Sequence, residues 1–373
     1  MTRASDTAKL LGAGGSILGS LDIGGGQIGG RRNIVINGGM NVAQRGTSET
    51  GAGAAEKFVC DRFKLAGTSS GRLTMTQTAD GPIGFANCLK LDCTTADTSI
   101  AADEYLTVGQ AFEGQDLQAI GKGVTGAKQF TVSFYVKASA AFTFGFELYD
   151  ADNARHNCRL FNTTTDWVRH SFVIQADVDD GSSPFDDDNA ASLYFQFWLH
   201  GGSNSTSGTL ATDWANFTAA NRAAGIDSFY SSTNNNFFVT GIQIEVGSVA
   251  TPFENRSFAE ELALCERYFE RWNSSGDNES LIAVGYVLNS GRVLANYKYN
   301  TPKRVDPTGT NSGASGFSCL RGSWITATGF AILTNKHTAR IDLSGLNGFT
   351  TGYAAEVRAE GGAGKWFAFD AEL

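Results

Sequence analysis

The stretch VTGIQIEVGSVATPFENRSFAEELALCERYFERW, residues 239–272, changes its hydrophobic period part-way along. Its first part alternates apolar and polar residues, which is typical of a half-buried β-strand. Pro252 then interrupts regular structure, because proline has no N–H to donate and restricts the residue before it. Further on, Ser257 is followed three residues later by Glu260, the signature of a helix capping box. The stretch therefore predicts a strand, a crossing segment and a linking helix over residues 257–273.

Apolar residues inside the predicted helix recur at alternating spacings of four and three, the pattern of a short heptad seam. These candidate seam residues are Phe258, Leu262, Cys265, Phe269 and Trp272. Two interpretations stay open: an amphipathic helix packed on its own domain, or the seam of a homotrimer. So short a seam cannot hold isolated helices together, and flanking β-domains would have to supply most of the association energy. We favour the homotrimer.

The rest of the chain divides around this junction. Residues 31–256 consist mainly of short alternating runs such as QFTVSFYVKAS (129–139), separated by Gly, Asn, Ser and Thr. This pattern predicts a mainly β chain with a jelly-roll β-sandwich. Residues 274–373 repeat the pattern and predict a smaller C-terminal β-domain. Residues 1–30 have short apolar pieces between glycines and cannot bury a core of their own, so we expect a flexible N-terminal arm.

The composition argues against several classes of function. The net charge is −9, and no Lys/Arg-rich block provides the electrostatic footprint of nucleic-acid binding. No apolar run reaches the ~18 residues of a membrane-spanning helix. Four dispersed histidines and six scattered cysteines leave little material for His-based catalysis or a disulfide framework. We therefore expect no enzymatic activity, no cofactor, no nucleic-acid partner and no membrane insertion.

Some strand faces mix aromatic rings with hydrogen-bonding groups instead of being plainly apolar or plainly solvated. Aromatic rings can stack on the C–H faces of sugars while polar groups meet the hydroxyls. The alternative, to which we give more weight, is that such a face packs against a loop or a neighbouring subunit. The candidate glycan-binding residues are Tyr135, Glu147, Tyr149, Tyr194, Gln196, Trp198, His200, Gln243 and Glu245.

An acidic run, DVDDGSSPFDDDN at residues 177–189, carries the candidate calcium ligands Asp177, Asp179, Asp186 and Asp188. Clustered carboxylates suit Ca²⁺. The glycine of this run stands one position too early for an EF-hand loop. A solvated acidic loop is the preferred interpretation, and a structural Ca²⁺ is the alternative.

Several segments together resemble bacteriophage tail-fibre and related virion proteins. They are NIVINGGMNVAQRGTS (33–48), DRF (61–63), QFTVSFYVKAS (129–139), the junction with its preceding residues (237–272) and FAFDAEL (367–373). The resemblance covers roughly residues 31–373 in order, and its most specific part is the junction. In that family the central region is similar to the jelly rolls of carbohydrate-binding modules.

The resemblance implies a homotrimeric fibre attached to other virion proteins through residues 1–30. Such a protein binds a host cell-surface glycan or receptor during adsorption. It is made in the host bacterial cytoplasm and is exposed on the particle surface, on either the tail or the head. The alternative is a purely structural virion component, such as a head fibre, decoration protein or tail spacer, without receptor binding.

Overall fold

The structure, a computed structural model, describes residues 31–178, 183–274, 280–360 and 364–373, together with the backbone of two short paired strands before them. The chain forms two compact units, Met1–Arg256 and Ser257–Leu373, called unit 1 and unit 2 below. Apart from that strand pair, the expected N-terminal arm over residues 1–30 lies outside the described residues. Among the described residues, no helix has the length and apolar character to cross a membrane.

Unit 1 contains strands and short helical turns. The strands are β1 (Asp22–Ile23), β2 (Gly26–Gln27), β3 (Ser48–Ala52), β4 (Lys57–Phe58), β5 (Lys64–Gly67), β6 (Arg72–Thr78), β7 (Cys88–Thr95), β8 (Tyr105–Glu113), β9 (Phe130–Ala138), β10 (Thr143–Asp150), β11 (Arg155–Asn162), β12 (Val168–Ile174), β13 (Ala191–Gly201), β14 (Ala215–Asn216) and β15 (Asn236–Val246). The helical pieces are α1 (Ser203–Thr206) and the 3-10 turns Gly114–Asp116, Gln118–Ile120, Ala219–Asn221 and Phe229–Ser231.

Two antiparallel sheets form the sandwich of unit 1. One has seven strands in the order β14-β11-β10-β13-β8-β5-β4, and the other has six in the order β12-β9-β15-β7-β6-β3. Alternate side chains point between the sheets, where the rings of Phe134, Phe146 and Phe197 lie 4.9 to 5.6 Å apart. All three rings are buried in one continuous apolar core. The predicted mainly β, jelly-roll sandwich is therefore confirmed.

The segment that precedes β3 packs against the last strand of the sandwich. Asn33 accepts a hydrogen bond from the backbone N–H of Ile244 at 3.1 Å and donates one to the carbonyl of Ile242 at 3.0 Å. Gly38 lies so close to that same carbonyl that any Cβ would clash with it. This explains why a glycine stands in the turn after the apolar run.

Unit 2 begins with helix α2 (Phe258–Glu266) and continues as strands. They are β16 (Phe269–Asn273), β17 (Ser280–Asn289), β18 (Arg292–Lys298), β19 (Thr308–Asn311), β20 (Phe317–Arg321), β21 (Ser323–Thr326), β22 (Gly329–Thr334), β23 (Thr338–Ser344), β24 (Ala354–Ala359) and β25 (Trp366–Asp370). The sheet orders are β16-β25-β19 and β21-β20-β24-β17-β18-β23-β22. A second apolar core, separate from that of unit 1, contains Phe317, Phe367 and Phe369.

The linking helix is shorter than predicted. Its capping box is confirmed, since Ser257 Oγ accepts from the Glu260 N–H at 3.3 Å and Glu260 Oε2 accepts from the Ser257 N–H at 2.9 Å. The helix ends at Glu266, however, and residues 269–273 form strand β16 paired with β25. The prediction of a helix over residues 257–273 is therefore wrong in its last third, where strand pairing replaces helical hydrogen bonds.

The predicted seam is consequently wrong as a single helical stripe. Two of its members lie on β16, where the Trp272 ring stacks on Phe367 with centroids 5.1 Å apart. Of those on the helix, Phe258 is 59% exposed and Cys265 is fully buried. No one face of α2 can therefore present all five seam candidates to a partner. The five are Phe258, Leu262, Cys265, Phe269 and Trp272.

Candidate functional site

The nine candidate glycan-binding residues do not share one face. Tyr135 lies on β9, and Gln243 and Glu245 lie on β15, all in the six-stranded sheet. The other six lie on β10 and β13, which are neighbours in the seven-stranded sheet. The structure therefore divides the predicted site between two sheets of the sandwich. The six on the seven-stranded sheet are Glu147, Tyr149, Tyr194, Gln196, Trp198 and His200.

Gln243 and Glu245 are fully buried beneath the crossing segment 247–256. The Glu245 carboxylate accepts from the Thr251 backbone N–H at 2.8 Å and from its hydroxyl at 2.6 Å. Gln243 Oε1 accepts from the Glu254 N–H at 2.8 Å. The Glu254 carboxylate in turn accepts from the Asn33 N–H at 2.8 Å. These residues form a clasp that closes the sandwich, so assigning Gln243 and Glu245 to a glycan site is wrong.

Tyr135 is only half-buried, yet it lies against the clasp side of the same sheet. Its ring is 5.3 Å from that of Phe85, and Phe85 lies 5.0 Å from Phe253 of the crossing segment. The Arg169 guanidinium lies 5.8 Å from the centre of the Tyr135 ring. Tyr135 thus packs within a local aromatic group and is separated from the other candidate tyrosines by the sandwich itself.

Glu147 is the hub of a buried network on the seven-stranded sheet. Its side chain is 0% exposed. It accepts hydrogen bonds from Trp198 Nε1 at 2.8 Å and from Arg222 Nε and Nη2 at 2.9 and 2.8 Å, and His156 Nδ1 lies 3.4 Å away. Burial raises the pKa of the Glu147 carboxyl, but the hydrogen bond from His156 and the charge of Arg222 outweigh it, so the pKa lies below its ordinary value. Glu147 is therefore a charged structural anchor.

The Trp198 ring is also excluded from solvent, because Arg222 covers it. The guanidinium carbon lies 4.6 Å from the ring centre, within cation–π range, and the residue is 2% exposed. Trp198 and Glu147 are too deeply buried to touch a ligand, which corrects their assignment as glycan-contacting residues. They instead hold in place the side chains above them.

Those side chains form a surface that we call the tyrosine platform: Tyr149, Tyr194, Phe217, Gln196 and Arg222. Tyr149 and Tyr194 are directly paired across β10 and β13, and their half-buried rings lie 6.2 Å apart. The Phe217 ring, 38% exposed, meets Tyr149 edge-on at 5.2 Å. Arg222 reaches from Glu147 towards both Tyr149 and Phe217. The platform combines partly exposed aromatic rings with a guanidinium and a carboxamide.

The sequence pattern did not predict two members of the platform, Phe217 and Arg222. Phe217 and Arg222 lie in the long connection between β13 and β15, where no strand alternation marks them. The connection folds back over the outer face of the seven-stranded sheet. Helix α1 lies beside the 3-10 turn Ala219–Asn221, and just after α1 the Gly208 N–H donates to the Ala220 carbonyl at 2.9 Å. The alternation within one strand cannot predict which distant loop will cover the outer face of its sheet.

His200, also a candidate glycan ligand, is fully buried at the end of β13. Its Nδ1 lies 2.8 Å from Ser228 Oγ, and its ring packs edge-on against Tyr230 at 5.3 Å. Its assignment to a glycan-binding surface is wrong, since no part of the imidazole reaches solvent.

Among the candidate calcium ligands, Asp177 is already paired with cations. Its carboxylate accepts from Arg155 Nε at 2.7 Å and Nη2 at 2.8 Å, and Lys122 Nζ lies 3.4 Å away. Lys122 is also 2.6 Å from Asp150. An ammonium and a guanidinium thus neutralise the position that a Ca²⁺ would need. Asp186 and Asp188 are exposed, as in the solvated loop that we preferred, and Asp179 lies outside the described residues.

No family model and no curated protein matches this chain. Among solved structures, the chain is similar to a family 4 carbohydrate-binding module (11% identity, 56% of this chain, 97% of that chain, TM-score 0.29). It is also similar to a family 61 module in complex with beta-1,4-galactotriose (8%, 58%, 99%, 0.30). A family 11 module from Clostridium thermocellum, in complex with a beta-1,3-1,4-mixed-linked tetrasaccharide, aligns likewise (11%, 55%, 99%, 0.27).

Proposed function

We propose that unit 1 is a carbohydrate-binding module that binds a glycan on its tyrosine platform. The observation that carries the proposal is the pair of half-exposed rings, Tyr149 and Tyr194, side by side on adjacent strands with centroids 6.2 Å apart. Each ring offers an apolar face to the C–H side of a pyranose together with a hydroxyl that can hydrogen-bond. Gln196 and Arg222 supply donors and an acceptor beside them.

The foundation of the platform favours binding because it is pre-organised. Arg222 donates to both oxygens of the buried Glu147 carboxylate, and the same carboxylate fixes the Trp198 ring beneath. Side chains that are already held in one rotamer lose little conformational entropy when a ligand arrives. A rigid, partly apolar surface with a few placed polar groups is the usual composition of a small-ligand site.

The test is a glycan array on the purified full chain, followed by calorimetry with any oligosaccharide that binds. Tyr149→Ala and Tyr194→Ala should each weaken binding about 10-fold, since the loss of one stacking ring is worth about 1 to 1.5 kcal/mol. Tyr135→Ala is the matched control, because it removes a half-buried tyrosine from the other sheet. The proposal fails if the wild type binds no glycan, or if the folded platform variants bind as well as the control.

The wider proposal, that the chain is a bacteriophage fibre protein, is supported by the sequence resemblance. In this proposal residues 1–30 attach to other virion proteins, three chains associate, and the platform contacts the host surface during adsorption. Light scattering on the full chain should give three times the 39.6 kDa mass of one chain. Antibody labelling should place the protein on the particle. A particle-bound trimer without glycan affinity would favour the purely structural alternative.

A further inference from the structure

One end of the sandwich holds a second polar cluster, away from the tyrosine platform. Asp97 and Glu104 belong to the loop between β7 and β8, and His200 lies near the end of β13. One donor atom from each of the three lies within 4.8 Å of the other two. His200 Nε2 and Glu104 Oε2 are 3.6 Å apart, too far for a hydrogen bond and close to the edge of a coordination tetrahedron.

The imidazole of His200 is buried with one nitrogen unsatisfied. The residue is 0% exposed, and Nε2 has no hydrogen-bond partner among the residues that the structure describes. Its other nitrogen, Nδ1, lies 2.8 Å from Ser228 Oγ. When Nδ1 donates its proton to that hydroxyl, the lone pair of Nε2 is directed at the carboxylates. A histidine fixed through its second nitrogen in this way is the usual arrangement of a metal ligand.

The charges around this nitrogen are negative and unbalanced. The Asp97 carboxylate accepts hydrogen bonds from the Ser69 hydroxyl at 2.7 Å and from the Ser70 hydroxyl at 2.8 Å. The Glu104 carboxylate accepts a hydrogen bond from the Ala101 N–H at 3.0 Å. Within the described ranges, no Lys or Arg forms an ion pair with either carboxylate. Burying unpaired charges is costly.

The comparable cluster of Glu147, His156 and Cys158 differs in this respect. There Arg222 already neutralises the carboxylate with a direct ion pair. A bound cation would have to displace the guanidinium. In the described part of the chain, no Lys or Arg pairs with the cluster at the end of the sandwich, so a metal ion bound there would displace no cation.

We propose that Asp97, Glu104 and His200 bind one divalent transition-metal ion, with Zn²⁺ as the representative. An imidazole nitrogen with two carboxylate oxygens suits Zn²⁺ better than Ca²⁺ or Mg²⁺, which prefer all-oxygen ligands. Two negative charges match the charge of the ion, and water completes its coordination. The ion enters past Glu104, whose side chain is 12% exposed. Its role is to fasten the loop over residues 96–104 to the end of β13.

The experiment measures Zn²⁺ on the intact chain after EDTA treatment, dialysis against ZnCl₂ and removal of excess metal. The wild type should retain one equivalent that depends on His200, and Co²⁺ in its place should give visible d–d absorption. His200→Gln and Glu104→Gln should each weaken binding by more than about 100-fold, because losing even an outer-shell partner costs 10- to 100-fold. Ser228→Ala should lie within that outer-shell range.

His337→Gln is the matched control, since it removes an exposed imidazole from unit 2 and should leave the retained equivalent unchanged. If His200→Gln does not fold, the half-buried Glu104→Gln variant and Ser228→Ala decide the question. If the wild type retains no metal, the proposal is overturned. Retention of the metal by folded Glu104→Gln at wild-type affinity overturns it equally.

Discussion

Replacing Arg222 by methionine should destabilise unit 1 more than any loss of surface contact would. Arg222 donates three bonds of 2.8 to 3.1 Å to the Glu147 carboxylate, whose side chain is 0% exposed. Removing one partner of a buried ion pair costs about 3–5 kcal/mol, because the other charge stays buried without compensation. Arg222 itself is 20% exposed, so water can partly reach the vacated position. We therefore expect a loss of about 3 kcal/mol.

A double substitution separates the charge effect from the loss of packing. In Glu147→Gln with Arg222→Met both charges are absent, while the glutamine can still accept the bond from Trp198 Nε1. The double variant should be more stable than Arg222→Met alone, with a coupling energy of about 1–2 kcal/mol. Urea unfolding at pH 7, compared at equal m-values, measures each free energy of unfolding. The reasoning is refuted if Arg222→Met costs under about 1 kcal/mol or if the second substitution brings no recovery.

The same pair gives a pH dependence with a definite sign. The pKa of Glu147 in the folded chain lies below its ordinary value of 4.5, so the unfolded chain takes up the proton first as the pH falls. The stabilisation from the charged carboxylate is thus present above pH 4.5 and is lost as the pH falls through the folded pKa. In Arg222→Met, burial would dominate and raise that pKa, so acid unfolding should begin at a higher pH. Urea midpoints from pH 3 to pH 7 test this, and identical profiles would contradict it.

Other parts of the structure give matched predictions. Lys122→Met should cost about 3–5 kcal/mol in thermal unfolding, since the 2% exposed ammonium is 2.6 Å from one buried aspartate and 3.4 Å from another. If the free energy of unfolding falls by less than about 0.5 kcal/mol, other groups neutralise the two aspartates beside Lys122. In unit 2, Trp272→Ala should cost about 2–3 kcal/mol because a half-buried, stacked ring leaves a cavity. Phe258→Ser, at a 59% exposed position, should stay within ~0.5 kcal/mol and leave the light-scattering mass unchanged. A change of mass in the Phe258→Ser variant would instead support self-association through α2.

Strand alternation predicted the core of unit 1 well and its outer faces poorly. Phe134 on β9 and Phe195 on β13 stand at apolar positions of alternating runs, and both are fully buried. The same alternation placed Tyr135 and Tyr194 on polar–aromatic faces, and both are half-buried there. Period-2 reasoning gives the face of a residue within its own strand, but not the sheet to which that strand belongs. Sheet membership depends on pairing between distant segments, so a site assembled from several strands could not be predicted.

The end of the linking helix shows a second limit of local patterns. Phe269 and Trp272 satisfy heptad spacing when they are counted from Phe258, and residues 269–273 show no clear alternation, yet they form a strand. The deciding partner is β25, almost a hundred residues later, whose backbone pairs with every residue of β16. Ser257 and Glu260 could be predicted as a cap because a capping box is complete within four residues. The tertiary context decided the rest, since short-range preference is weak beside a full row of strand hydrogen bonds.

The long junction motif is specific in sequence because its polar residues form a buried hydrogen-bond network. Its length suggested a functional signature, yet its polar residues bond chiefly to one another: Gln243, Glu245, Thr251 and Glu254 form the clasp. A carboxylate, a carboxamide and a hydroxyl buried together need fixed partners at fixed positions, or each becomes an unsatisfied buried group. Such a network constrains sequence as tightly as a binding site does. In the tyrosine platform, Arg222 belongs to a buried network of the same kind through Glu147, whereas the partly exposed rings of Tyr149 and Tyr194 can vary with the ligand. A binding site on this sandwich is therefore expected where the sequence pattern is least specific.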